Sequence, residues 1–355
     1  MIPSHIDTWQ MTEPGRLAKT RIPMPPLGPD DVVVEIAGCG VCHTDLSYFY
    51  MGVPTIQKPP LSLGHEISGR VIGGRADLIG KEVIIPAVIP CGDCDICRSG
   101  RSNRCLDQHM PGYSMGIYGG FSSHIVVGGR FLCVVENRGA MPLEHLSVVA
   151  DAVTTPYQAG CRAHLGPGDV AIVIGAAGGV GSFMTQTAKG MGARAVIGID
   201  INEEKLQMMK KYGADFVVNP KGKSPKEVRD LIKGYCKAQG LPANHGWKIF
   251  EVTGTKPGQE LALFLLSFVG TLVVVGYGTD ETSYMLSRLM AFDAQLIGTW
   301  GCPPERYPDV LAMCLDGRIA LGDFVETRPM SRIAETFEQA HHGELKRRVV
   351  LVPDF

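Results

Sequence analysis

From Asp31 onward the chain alternates short apolar runs with Gly- and Pro-containing turns: DVVVEIAGCG, HEISGRVIGG, KEVIIPAV and FSSHIVVGG. Val- and Ile-rich runs of this length predict strands. Residues 30–135 therefore read as an all-β unit, a distorted barrel. From about Asp151 the rhythm changes. DVAIVIG, RAVIGID, DFVVN, WKIFEVTG and GTLVVVGYG predict strands, separated by the helical stretches VGSFMTQTAKGMG, NEEKLQMMKKYG, SPKEVRDLIKGYCKAQG and GQELALFLLSF. Such alternation predicts a parallel sheet with helices on both faces. AQLIGTW adds a sixth strand. After it come two helical patterns and a final strand, RRVVLVP, placed to return to the first unit. The expected class is α/β plus β, with residues 1–154 and 301–355 in one domain and residues 155–300, a doubly wound sheet, in the other.

At 355 residues the chain can bury two cores. Lys and Arg (34) nearly cancel Asp and Glu (36), which argues against a nucleic-acid or membrane-surface partner. No apolar stretch reaches the ~18 residues of a membrane span. MIPSHIDTWQMTEPG contains no basic region leading into an apolar run, so a cytoplasmic location is expected. Thiols stay reduced there, and the eleven cysteines call for an explanation other than disulfides.

The predicted strand VAIVI runs into Gly175-Ala176-Ala177-Gly178-Gly179-Val180-Gly181 and then into a helix. A Gly-rich turn alone is weak evidence, but here an apolar strand precedes it, a helix follows, and Asp200 ends the next strand. Gly178 and Gly179 would let the backbone approach a pyrophosphate, Gly181 would allow close helix packing, and the start of the helix, around Val180, favours negative charge. Ala176 stands where the first fingerprint glycine is expected, a departure partly covered by Gly175. A carboxylate at Asp200 suits ribose hydroxyls and repels a 2′-phosphate. Ile201 and Asn202 follow, with no adjacent arginine, so NAD is expected rather than NADP.

CGDCDICRSGRSNRC holds Cys91, Cys94, Cys97 and Cys105 at intervals of three, three and eight. Two-residue gaps let neighbouring thiolates converge on one ion, and four thiolates close a tetrahedral structural zinc site. An iron–sulfur cluster and a disulfide pair are the competing readings. Elsewhere, Cys42-His43-Thr44-Asp45 follows one strand and His65-Glu66 begins another. Taken singly, a Cys or a His is more often a packed core residue than a ligand.

Taken together and in this order, these motifs resemble the zinc-containing medium-chain alcohol dehydrogenases over essentially the whole chain. The resemblance implies a GroES-like β-barrel catalytic domain, completed by the carboxy-terminal residues, with a Rossmann domain inserted and the active site in the cleft. It implies two zinc ions per chain. Cys42 and His65 would be ligands of the catalytic zinc. The third ligand position, often a cysteine in the family, is occupied here by Asp151, itself a competent ligand. The alternative is that Asp151 caps a helix and that water or Glu66 completes the shell. Zinc would stabilise an alkoxide, hydride would pass to the nicotinamide, and Thr44 would accept the alcohol proton. Where family members often carry a histidine to finish that relay, this chain has Ser47. Asp45 would orient His65, His43 and Arg348 would contact pyrophosphate, and Lys205 and Thr155 would contact ribose and nicotinamide.

Spacing does not name the alcohol. The wording of GYSMGIYGGFSSHIVV and VVADAVTTPYQAG resembles a branch of the family acting on 6-hydroxycyclohex-1-ene-1-carbonyl-CoA in anaerobic aromatic degradation. That would make the partner a small-molecule coenzyme A thioester. A free secondary alcohol or polyol, and a non-catalytic NAD-binding relative, are the alternatives. The family resemblance favours a homodimer or homotetramer.

Overall fold

The computed structural model describes residues 1–355, which divide into two compact units. One comprises Met1–Thr154, Gly301–Leu315 and Leu321–Phe355; the other comprises Thr155–Trp300 with Asp316–Ala320. The short return of Asp316–Ala320 to the second unit departs from the expected boundary. Gln186 Oε1 accepts the Ala320 N–H at 2.7 Å and helps to anchor it there.

In the first unit the strand Asp31–Gly40 is central. Glu66–Gly74 pairs along its length, while His124–Gly128 and the final strand Arg348–Val352 pair with its two ends. Glu82–Ile85 and Cys133–Val135 extend the sheet on one side, and Val325–Pro329 pairs in parallel with the final strand on the other. The carboxy-terminal strand thus returns to the β-unit, pairing Val350 with Gly40 and Leu351 with Cys39. Val32, Val34 and Ile36 alternate into a core shared with Ile67, Val71, Phe121 and Phe337. A hairpin of His5–Glu13 and Arg16–Pro23 precedes all this. Its polar residues, many of them exposed, hide it from a reading by apolar runs.

The second unit is a six-stranded parallel sheet in the order Phe216–Val218, Ala195–Ile199, Val170–Ile174, Lys248–Glu251, Thr271–Val274, Gln295–Gly298. Alternate residues of Val170–Ile174 face opposite cores. Ala171 and Val173 meet the helix Gly179–Gly190 through Met184 and Ala188. Ile172 and Ile174 share a core with Val228 and Ile232 of Pro225–Ala238 and with Leu261 and Leu265 of Lys256–Leu265. A strand buried on both faces needs apolar residues at every position, and VAIVI supplies them. No helix is long and apolar enough to cross a membrane.

Candidate metal centres and dinucleotide loop

The strand Asp31–Gly40 ends just before Cys42, whose extended backbone leads into the helix His43–Tyr50. Asp45, in the first turn of that helix, is fully buried. Its Oδ2 accepts the Cys42 N–H at 3.0 Å and its Oδ1 accepts the Gly64 N–H at 3.0 Å. One carboxylate therefore fixes the two loops that carry Cys42 and His65. Asp45 Oδ1 also lies 3.4 Å from His65 Nδ1, which suits the orienting role expected of it.

Across from this pair, Asp151 Oδ2 stands 3.7 Å from Cys42 Sγ and 3.5 Å from His65 Nε2. Donors about 2.0–2.3 Å from one tetrahedral ion stand about 3.3–3.8 Å apart, so both Asp151 separations match ligands of a single zinc. Ligand atoms of Cys42, His65, Glu66 and Asp151 all lie within 4.8 Å of one another. Neither ring nitrogen of the buried His65 makes a hydrogen bond of good geometry. Buried imidazoles rarely go unsatisfied, and an ion held by this cluster would satisfy His65. Burial alone would lower the His65 pKa, but Asp45, with help from Asp151 and Cys42, raises it well above the usual value. The cluster is built to hold positive charge.

Glu66 and Arg348 pair with each other. Arg348 turns inward, its side chain only 7% exposed, and donates two hydrogen bonds to the fully buried Glu66, Nε to Oε2 at 2.8 Å and Nη2 to Oε1. The guanidinium expected to contact pyrophosphate thus also pairs with the neighbour of the candidate ligand His65, leaving further N–H donors. Glu66 is in turn held toward Arg348. His43 lies beside this pair; desolvation, then the Arg348 guanidinium and the nearby His341 ring, lower its pKa. Thr44 Oγ1 lies 3.7 Å from Cys42 Sγ. Ser47 donates its hydroxyl to the His43 carbonyl at 2.9 Å, so its own proton is spent inside the helix.

The four cysteines form a separate group. Sγ–Sγ distances are 3.4 Å for Cys94–Cys97, 3.9 Å for Cys94–Cys105 and 3.4 Å for Cys105–Cys91. Four sulfurs around one zinc stand about 3.8 Å apart, whereas a disulfide needs about 2.05 Å. All eleven cysteines are free, which removes the disulfide reading. Backbone N–H groups aim at the sulfurs: Asp93 and Cys94 at Cys91, Cys97 at Cys94, Cys91 and Asp107 at Cys105. The Leu106 and Cys97 amides lower the Cys94 thiol to about 6, in the range of a ready thiolate.

In the second unit, Gly175 takes φ +89° and turns the chain out of the strand. A Cβ at Gly181 would lie 1.8 Å from the Gly175 carbonyl oxygen, so only glycine lets the helix start this close to the strand. Gly178 caps the helix without a side-chain acceptor, leaving the N–H groups of its first turn, from Gly179, Val180 and Gly181, for an anion. Ala176 is buried against Gly198, so its methyl group is accommodated by a second glycine. Asp200 accepts the Ala177 N–H and the Asn202 N–H, each at 2.9 Å, which ties the loop to the end of the next strand. Lys205 lies in the first turn of Glu203–Met208, and Thr155 in the first turn of Thr154–Arg162.

Residues 28–137 match the family model for the alcohol dehydrogenase GroES-like domain, and residues 179–316 match that for zinc-binding dehydrogenases. An NAD-dependent alcohol dehydrogenase of Sulfolobus acidocaldarius is 30% identical over 318 residues, covering 86% of this chain and 87% of its own. The chain belongs to the zinc-binding alcohol dehydrogenase family. Membership makes this dehydrogenase a zinc- and NAD-linked oxidoreductase with a GroES-like domain and a Rossmann-type sheet. The crystal structure of the Aeropyrum pernix alcohol dehydrogenase is 27% identical, with a TM-score of 0.85 over 98% of this chain and 100% of the other. That of acetophenone reductase from Geotrichum candidum in complex with NAD is 25% identical, with a TM-score of 0.84 over 99% and 98%.

Two features of this dehydrogenase escape a reading of motifs. Tyr307 donates to the carbonyl of Ala150, 157 positions away, and no local pattern signals that contact. Glu251, buried at the end of its strand, accepts the Thr253 and Gly254 N–H groups at 2.8 and 3.1 Å and organises the loop that follows. An acidic residue closing the apolar run KIFE was its only trace.

Proposed function

We propose that this chain oxidises a secondary alcohol to a ketone, with NAD as hydride acceptor and Cys42, His65 and Asp151 as the ligands of a catalytic zinc. The observation that carries this reading is the convergence of those three side chains at 3.5–3.7 Å around Asp151 Oδ2, beside Thr44. Zinc held there supplies Lewis acidity that eases loss of a hydroxyl proton. Thr44 would accept that proton while passing its own hydroxyl proton on to the cofactor ribose, so the side chain relays the proton and stays neutral. One thiolate and one carboxylate balance the ion's two charges, and Asp45 holds His65 in the orientation that presents Nε2. Cys91, Cys94, Cys97 and Cys105 would hold a second, structural zinc, whose four thiolates would leave it no position for substrate.

The finer reading is a cyclic hydroxyacyl-CoA thioester, 6-hydroxycyclohex-1-ene-1-carbonyl-CoA, supported by the residues around Gly112–Val127 and Val148–Gly160. The names of the relatives, plain alcohol dehydrogenases and a ketone reductase, favour a free secondary alcohol equally. NADH formation with the thioester, its free acid and simple secondary alcohols, assayed side by side, separates the two. Turnover confined to the thioester supports the coenzyme A reading; turnover of free alcohols alone removes it. A chain inert on all of them and unable to bind NAD would overturn the proposal.

Self-association is part of the same proposal. The edge strand Gln295–Gly298 has a partner on one side only. Leu286, Met290 and Leu296 are exposed in and just before that strand, a combination that pairing with a second copy would cover.

A further inference from the structure

The segment Gly301–Leu315 belongs to the first unit and reaches both candidate metal centres. Glu305 Oε2 accepts the Ser102 hydroxyl at 2.8 Å, within the four-cysteine loop. Tyr307, buried at the start of the helix Tyr307–Leu315, accepts the Ala87 N–H at 3.1 Å and donates its hydroxyl to the Ala150 carbonyl. Ala150 immediately precedes Asp151. Its carbonyl also receives the Thr154 hydroxyl at 3.1 Å.

We propose that Tyr307 is a positioning residue for the Asp151 ligand, acting with Thr154 through the Ala150 carbonyl. The peptide between Ala150 and Asp151 is planar. Holding its oxygen therefore restricts the direction in which the Asp151 side chain leaves the backbone, toward Cys42 and His65. Ala87 supplies the fixed point, since its N–H occupies the remaining side of the phenol oxygen. A phenylalanine would fill the same volume but hold neither group, so the hydroxyl does what packing alone does not. The inference rests on Asp151 being a zinc ligand.

The test is zinc release from the zinc-loaded full chain into a chromophoric chelator, followed in time. Asp151→Ala and Cys97→Ser assign the two phases. Outer partners of metal ligands are typically worth about 10–100-fold in affinity. Tyr307→Phe should therefore release the Asp151-site zinc at least about tenfold faster, with the four-cysteine zinc leaving at the wild-type rate. Thr154→Val should shift the same phase in the same direction by less. Unchanged release in Tyr307→Phe, or equal acceleration of both phases, overturns the proposal. If Tyr307→Phe does not fold, Thr154→Val decides, and an unchanged Asp151 phase there overturns it. Retention of both zinc ions by Asp151→Ala would sink the ligand reading itself. Loss of one zinc in Asp151→Ala, with no effect of Tyr307→Phe, would sink only the role of Tyr307.

Discussion

Arg348 and Glu66, 282 positions apart in the chain, form a two-pronged ion pair buried directly behind the Cys42–His65–Asp151 group. Removing one member of such a pair leaves a charge without a partner, at a typical cost of about 3–5 kcal/mol. Glu66→Ala should lower stability by about that amount. The double variant Glu66→Ala/Arg348→Met should cost less than the sum of the single changes. Urea unfolding of the three variants checks this; strict additivity would mean that the pair is not coupled.

Asp45→Asn replaces one carboxylate oxygen with an amide that must face either the Cys42 N–H or the Gly64 N–H. Zinc affinity at the Cys42–His65 site should fall by about 10–100-fold. Chelator competition should report one weakened site and one unchanged.

Cys97→Ser opens the four-thiolate site. Zinc content should fall by one equivalent and the loop around Asp95–Arg104 should become sensitive to limited proteolysis, because metal binding rather than a core folds such a loop. A loop still resistant to proteolysis after zinc loss would show that side-chain contacts such as Ser102–Glu305 suffice to hold it.

Gly181→Ala places a methyl group 1.8 Å from the Gly175 carbonyl oxygen, so the helix Gly179–Gly190 must shift away from its strand. Overpacking of this kind costs about 1–3 kcal/mol. NADH titration by fluorescence should give weaker binding, since the first-turn N–H groups move with the helix. Wild-type affinity would argue that the dinucleotide does not use this loop.

Glu82 gives a pH signature. The hydrogen-bonded Arg138 guanidinium, at 2.8 Å, holds its pKa below the ordinary value of 4.5. A depressed folded-state pKa stabilises the fold above the unfolded value, and the benefit is lost as pH falls through the folded one. Arg138→Met should therefore be less stable than wild type at neutral pH, and the gap should narrow below pH 4.5. Urea midpoints across that range measure it; a gap that widens on acidification contradicts the assignment.

Much of the molecule was legible before folding. The four-cysteine loop is written in one short stretch, and so are the strand, glycine turn and helix of the dinucleotide loop. In each the interacting groups are close in sequence, so spacing alone constrains geometry. Strands buried on both faces, such as VAIVI and AVIGI, announce themselves by continuous apolar runs. The amino-terminal hairpin does not, because one of its faces is wet and its residues are mixed.

Residue type and local spacing were enough to set the two-domain order, to mark two candidate sets of metal donors and to favour NAD. Which distant side chains meet came from folding. Arg348 lies on Glu66, Tyr307 holds the carbonyl before Asp151, and Asp316–Ala320 returns to the second unit. These contacts join segments far apart in the chain, and their partners are selected by packing and by the need to pair every buried polar group. No local pattern records that selection.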